Sequence, residues 1–175
     1  MSHPGIKHIA LFGAGKSATV LIDYLKSVAT ENVWNITVAD GNYEMAAAKT
    51  GDHPLVKPLA LNIENAEERS SLVQQADLVI SMMPPHLHYL IAEDCLQYGR
   101  HLLTASYLDE HIKQLSSQIE EKNLLFLCEM GLDPGIDHMS AMQVIDTIKE
   151  DGGSITSFKS HCGGLVAPES DNNPW

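Results

Sequence analysis

The sequence predicts an α/β fold with a doubly wound parallel sheet, followed by the opening of a second α/β unit. Three observations predict it. Short apolar runs alternate with segments of helical periodicity from the first residues onward. Six such runs fall into two sets of three, as repeated βαβ units require. A glycine-rich turn joins the first run to the first helix.

His8 to Phe12 is a short apolar run that stops at Gly13. Lys16 to Ala29 places Val20, Leu21, Tyr24, Leu25 and Val28 at helical spacing. Asn35 to Ala39 reads as the second strand and the alanine-rich Tyr43 to Lys49 as a helix. Val56 to Leu61 reads as the third strand, but Pro58 lacks an amide hydrogen and suits an edge. Ala66 to Gln75 is helical, with Glu67 and Glu68 in the first turn, where the helix dipole favours acids. Leu78 to Met82 is the fourth strand, closed by Pro84 and Pro85. Leu87 to Tyr98 is a helix that Gly99 stops. His101 to Thr104 is the fifth strand, Asp109 to Lys122 a helix and Leu124 to Leu127 the sixth strand.

After Met130 the pattern changes. Gly131-Leu-Asp-Pro-Gly135 is turn-rich, Asp137 to Lys149 is helical, and Ile155 to His161 reads as a strand. One helix and one strand cannot bury a core between them. The expected division is therefore a dinucleotide-binding domain over 1–130 and the beginning of a substrate or dimerisation domain over 131–175.

Composition narrows the partners. The 175 residues carry 23 acids against 11 lysines and arginines, a formal charge of −12. Such a chain repels phosphate backbones and anionic membranes, so a small molecule is the expected partner, with no nucleic acid and no membrane. No apolar run approaches the roughly 20 residues that span a bilayer. Met1 to His8 shows no signal-peptide pattern. Cys95, Cys128 and Cys162 are odd in number and far apart, as expected of reduced thiols in a cytoplasmic protein.

Gly13-Ala14-Gly15-Lys16-Ser17-Ala18 is G-x-G-x-x-A between a strand and a helix, the context a Rossmann-like dinucleotide fingerprint requires. Gly13 permits the tight turn, Gly15 lets a pyrophosphate approach the backbone, and Ala18 lets the helix pack closely. The amides of residues 14 to 17 then face the phosphates. Asp40 ends the second strand, 25 residues after Gly15. An acid there accepts hydrogen bonds from ribose hydroxyls and repels a 2′-phosphate. The expected cofactor is NAD, with NADP possible. Asp40 also has a plainer reading as a cap of the next helix. Met82 and Met83 lie where strand ends line the cofactor crevice, though core packing is the plain alternative. His86 and His88 invite a metal, but no third ligand sits nearby, so none is expected and both read as surface or helix-start histidines. Thr104-Ala105-Ser106-Tyr107 ends the fifth strand near the nicotinamide position, where Ser106 offers a hydroxyl.

Gly131-Leu-Asp-Pro-Gly-Ile-Asp-His138 resembles the saccharopine dehydrogenase family, in particular its glutamate-forming reductases. Ser160-His-Cys-Gly-Gly-Leu-Val-Ala-Pro-Glu-Ser170 and Asn172-Asn-Pro174 are similar too, and the motifs stand in the family's order. The resemblance implies a Rossmann domain with an inserted substrate domain, usually in a homodimer. It implies NAD(P)-linked oxidation of saccharopine to L-glutamate and 2-aminoadipate 6-semialdehyde, a step of lysine metabolism. The expected chemistry is hydride loss beside the secondary amine, placed at the glutamate-side Cα, then hydrolysis of the imine. By the same resemblance Ala105, Ser106, Asp133, Cys162 and Gly163 contact the substrate. Met82, Thr104, Ala105, Gly131, Leu132 and Asp133 face the dinucleotide. Asp133, Asp137 and His138 are the catalytic candidates. A cap for Asp137 and simple packing for His138 are the competing readings. Two alternatives to the whole assignment stand: a relative acting on another imino-linked amine, such as a carboxynorspermidine, and a non-catalytic dinucleotide-binding module.

Overall fold

A computed structural model describes residues 7–163. Six parallel strands form one sheet: β1 (His8–Phe12), β2 (Asn35–Asp40), β3 (Val56–Ala60), β4 (Leu78–Ser81), β5 (His101–Thr104) and β6 (Phe126–Leu127). Their order is β3-β2-β1-β4-β5-β6. The chain winds outward from β1 on one side and from β4 on the other, so the winding direction reverses between them. Ligands of such sheets bind at that point, beyond the carboxyl ends of the strands. Pro58 lies in β3, an edge strand, where its missing amide hydrogen leaves no ladder bond unmade.

Alternation along β1 builds two core layers. Ala10 and Phe12 face one side of the sheet, with Val73, Ile91, Ala92 and Leu102. Ile9 and Leu11 face the other, with Ile22, Leu25, Ile36, Val38 and Val56. Each such fully buried large side chain contributes about 1.5–3 kcal/mol. The layers are completed by α1 (Thr19–Asn32), α2 (Tyr43–Thr50), α3 (Ala66–Gln75) and α4 (His88–Tyr98). Asn42 caps α2 by accepting from the Met45 amide, and Asn65 caps α3 by accepting from the amides of Glu67 and Glu68. Arg69 and Asp94 pair across the buried seam of α3 and α4 at 2.7 Å.

Two expectations change. The single helix over 109–122 is two, α5 (Glu110–Gln114) and α6 (Ser116–Glu121). The Leu115 amide donates to the Ile112 carbonyl, three residues back, and this tighter bond interrupts the α-helical ladder. The strand expected over 155–161 does not form: residues 154–163 are irregular, and Phe158 is 60% exposed. A strand needs a neighbour to satisfy its amides, and no other strand runs beside this segment among the described residues. The last helix, α7 (Ile136–Glu150), has no buried residue; Ile136, Met139, Met142 and Val144 are all exposed. No helix among the described residues is long and apolar enough to cross a membrane.

Candidate functional site

The glycine loop bridges β1 and α1. The Gly13 amide donates to the Ala39 carbonyl at 2.8 Å, tying the loop to the end of β2. Gly13 has φ +99°, and a Cβ there would lie 2.9 Å from the Met82 carbonyl oxygen. Conformation and space both demand glycine. Gly15 faces open space, with nothing within 4 Å of a built Cβ. Lys16–Ala18 form a turn of 3-10 helix that no side chain caps, so its first amides are presented to an anion. Lys16 and Ser17 are exposed, and Ala18 is buried against the sheet.

Asp40 is bound to this loop. One carboxylate oxygen accepts from the Ala14 amide at 2.7 Å and the other from the Asn42 amide at 2.8 Å. The Ala14 amide, expected to face the phosphates, is therefore spent on Asp40. The cap of α2 is Asn42, not Asp40. Two clefts flank the loop. One of about 510 Å³ opens beyond β2 and β3 between Gly41, Leu61, Ile63 and Met83. The other, of about 470 Å³, lies between Ser17, Met82, Ala105, Gly131, Leu132 and Asp133. A dinucleotide across the loop would set its adenosine in the first and its nicotinamide in the second. Met83 and Met82 would then serve opposite ends. Asp40, at the end of β2 and next to Gly41 of the first cleft, would stand on the adenosine side.

The second cleft is knitted from two segments. The Glu129 amide donates to the Ser106 carbonyl at 2.9 Å and the Met130 amide to the Thr104 carbonyl at 3.0 Å. Gly131 approaches Ala105 so closely that a Cβ would lie 2.8 Å from the Ala105 carbonyl oxygen. This brings Asp133 to the cleft, where the Tyr107 hydroxyl donates to it at 2.8 Å. That bond and the nearby carboxylates push the Tyr107 hydroxyl pKa up. Cys162 and Gly163 are exposed, and the Asp133 carboxylate pushes the Cys162 thiol up. A protonated thiol suits contact rather than nucleophilic attack.

Asp137 accepts from the Gly135 amide at 3.0 Å and pairs with His138 Nδ1 at 2.7 Å. Partial burial pushes its carboxyl up, but the hydrogen bonds from His138 and Gly135 outweigh this and hold it below the usual range. Asp137 thus serves the start of α7 and orients His138 at once. One donor atom each from Asp133, Asp137 and His138 lies within 4.8 Å of the others. Two carboxylates so placed suit a substrate ammonium.

Sequence reasoning passed over two residues. Tyr107 was visible only as the end of the Thr104-Ala-Ser-Tyr motif. His88, expected at the surface or a helix start, does open α4 but is 2% exposed. Its Nδ1 lies 2.7 Å from the Ser81 hydroxyl and its Nε2 2.8 Å from the Ser106 hydroxyl. Burial pushes its pKa down, and the charge of Asp109 opposes the shift. His86 is exposed.

Residues 9–127 match the family model described as the saccharopine dehydrogenase NADP binding domain, and residues 131–175 match that of the saccharopine dehydrogenase C-terminal domain. The chain belongs to the saccharopine dehydrogenase family. It is 37% identical over 169 residues to the mitochondrial alpha-aminoadipic semialdehyde synthase of Bos taurus, covering 96% of this chain and 18% of that protein. It is 36% identical over 166 residues to the saccharopine dehydrogenase [NADP(+), L-glutamate-forming] of Schizosaccharomyces pombe, covering 95% of this chain and 36% of that one. The apo structure of the L-Glu-forming saccharopine dehydrogenase from Saccharomyces cerevisiae superposes with a TM-score of 0.80 at 32% identity, over 96% of this chain and 37% of that one. The chain thus spans well under half the length of these relatives. The matches do not support the expectation of NAD ahead of NADP: the domain model and the fungal relatives are named for NADP.

Within this family match, Gly131, Leu132, Asp133 and Ile136 line the second cleft, and Cys162 lies beside Asp133. The motif residues Gly164 to Pro174 lie outside the described residues.

Proposed function

We propose that the chain is the dinucleotide-binding part of a saccharopine dehydrogenase, L-glutamate-forming, acting in lysine metabolism. The observation that carries this reading is the seating of Asp133, with Tyr107 and Cys162, at the cleft beside Gly131 and Ala105. A bare dinucleotide-binding module has no use for such a cluster.

The products decide which carbon reacts. The carbon that loses hydride becomes the carbonyl after hydrolysis. Glutamate retains its nitrogen, and the other product is an aldehyde. Hydride therefore leaves the lysine-derived C6 methylene. The glutamate-side Cα expected above would give a 2-oxo acid instead, so that expectation is corrected. The bound dinucleotide supplies the hydride acceptor. The chain's own residues bind and orient. Asp133 holds a substrate ammonium, Ser106 offers a hydroxyl, and Tyr107 or the Asp137–His138 pair exchanges protons with the amine and with the water that splits the imine. We further propose a small-molecule partner only, neither nucleic acid nor membrane, and a homodimer formed outside the nucleotide domain.

The choice of dinucleotide rests on Asp40. A carboxylate at the end of β2 disfavours a 2′-phosphate, and neither arginine among the described residues pairs with it. Arg69 is held by Asp94 and the Ile63 carbonyl, and Arg100 by the Gln74 carbonyl. This favours NAD, against the names of the fungal relatives. The full-length protein should be assayed for saccharopine-dependent reduction of NAD and NADP side by side, with glutamate and aldehyde quantified. Turnover giving those products is expected. Release of lysine and 2-oxoglutarate, or turnover of neither dinucleotide while NADH and NADPH still bind, would overturn the reading.

A further inference from the structure

Ser81, His88 and Ser106 form a continuous hydrogen-bonded chain that runs from the sheet interior to the edge of the cleft, where Ser106 follows the lining residue Ala105. Ser81 ends β4, is fully buried, and is in register with Thr104 of β5. His88 opens α4 and is 2% exposed. Ser106 is half-buried, directly after Ala105 of the cleft wall. The two contacts are 2.7 and 2.8 Å, well within strong hydrogen-bond range. Nothing in the packing of β4 against α4 calls for an imidazole: the neighbours Ile91, Ala92 and Cys95 are apolar.

We infer that His88 is a positioning residue, whose imidazole fixes the direction of the Ser106 hydroxyl so that it donates into the cleft. The inference rests on the proposed function for the identity of what it meets there.

The argument is one of hydrogen bookkeeping. A neutral imidazole has one donor nitrogen and one acceptor nitrogen, and burial keeps this ring neutral. The Ser81 hydroxyl has His88 as its one hydrogen-bond partner among the described residues. If it accepted from Nδ1, its own proton would be buried without an acceptor. A stranded buried donor is costly, so Ser81 donates to Nδ1. The ring proton then sits on Nε2 and is donated to Ser106 Oγ. Ser106, already accepting from His88, turns its own O–H away from the ring. What the cleft receives is a directed donor. It suits a carboxylate or an amine lone pair and does not suit an ammonium. Asp133 across the cleft offers the opposite polarity. The two groups together would orient an amino-acid end by its two charges.

Two readouts test this on the full-length protein. The first is the His88 tautomer, read from long-range imidazole proton–nitrogen correlation spectra and assigned with His88→Gln. The Nε2–H tautomer is expected. Ser81→Ala, which keeps the histidine in place, should leave the proton on Nε2 and move the Nδ1 resonance downfield, toward that of a ring nitrogen that accepts no hydrogen bond. A native ring protonated on Nδ1 would overturn the inference whether or not saccharopine is turned over. The second is a double-mutant cycle on saccharopine kinetics. Ser106→Ala should lower kcat/KM roughly 10- to 100-fold, the worth of a hydrogen bond to a charged group, with dinucleotide Kd within about twofold. His88→Gln should lose a similar factor, and the double variant should lose no more than Ser106→Ala alone. Losses that multiply, or a His88→Gln protein of native kcat/KM, would refute it. Failure of the unmodified protein to turn over saccharopine would count against the proposed function, and the tautomer would still decide the role of His88.

Discussion

Replacing Asp40 with asparagine separates its two roles, because asparagine keeps the shape and gives up the charge and one acceptor. Both carboxylate oxygens accept backbone amides, Ala14 at 2.7 Å and Asn42 at 2.8 Å. Asparagine can satisfy one of them and must turn its NH₂ toward the other. One amide loses its partner and faces a donor, at a cost of about 1–3 kcal/mol in stability. The charge matters for cofactor choice. Two unit charges about 5 Å apart at an effective dielectric of about 20 interact by roughly 3 kcal/mol. Solvent and salt remove much of this at a half-buried site. About 1–2 kcal/mol remains, so the NAD-over-NADP affinity ratio should fall roughly 5- to 30-fold. Fluorescence titrations with NADH and NADPH measure the ratio, and denaturant unfolding measures the stability. An unchanged ratio in a destabilised protein would mean that Asp40 only braces the loop. An unchanged stability would mean that the two amide bonds carry no net weight.

Four further outcomes are expected. Gly13→Ala should weaken dinucleotide binding at least tenfold in the same titrations, because a methyl group at φ +99° would press on the Met82 carbonyl; native affinity would show that the loop can relax. Arg69→Met should cost about 3–5 kcal/mol by denaturant unfolding, since it leaves Asp94 buried without its cation; a cost under about 1 kcal/mol would show that water reaches the seam. Cys162 should alkylate more slowly with iodoacetamide near pH 8 than an ordinary cysteine, and Asp133→Asn should speed it, because that carboxylate raises the thiol; a rate indifferent to the substitution would remove Asp133 from its surroundings. The fourth concerns pH. Burial depresses the His88 pKa below its ordinary 6.5, so the unfolded chain takes up a proton before the folded one does. The contribution of His88 to stability is intact above pH 6.5 and is lost as pH falls below it toward the folded value. His88→Gln should flatten that part of a stability-against-pH curve, and an unflattened curve would assign the acid loss to other groups.

The sequence made the glycine loop legible because its requirements are local. A turn at φ +99°, a close approach and an uncapped helix start fall within Gly13 to Ala18, so the residue string states them. Strand alternation in Ile9–Phe12 and helical spacing in α1 are local in the same sense, and Pro58 correctly marked an edge. Ile155 to His161 misled for the complementary reason: apolar composition reports a wish to be buried, whereas a strand is defined by a partner that lies elsewhere. The break at Leu115 turns on a single hydrogen bond shifting from four residues to three, which leaves no compositional mark.

His88 shows where such reading ends. In the string it follows Pro84, Pro85, His86 and Leu87, and a histidine two residues from another suggests metal or surface. Its role depends on three elements meeting: the end of β4, the start of α4 and the turn after β5. Seven residues separate it from Ser81 and 18 from Ser106, with no motif spanning either gap. The same topology that reverses between β1 and β4, and so opens a crevice beyond the strand ends, sets the carboxyl ends of β4 and β5 side by side under that crevice. A polar chain placed there is shielded from water below and ends beside the cleft above. A hydroxyl held from beneath by a neutral ring pays its ordering cost during folding, not when substrate arrives, which is the condition for a donor to orient a small ligand sharply.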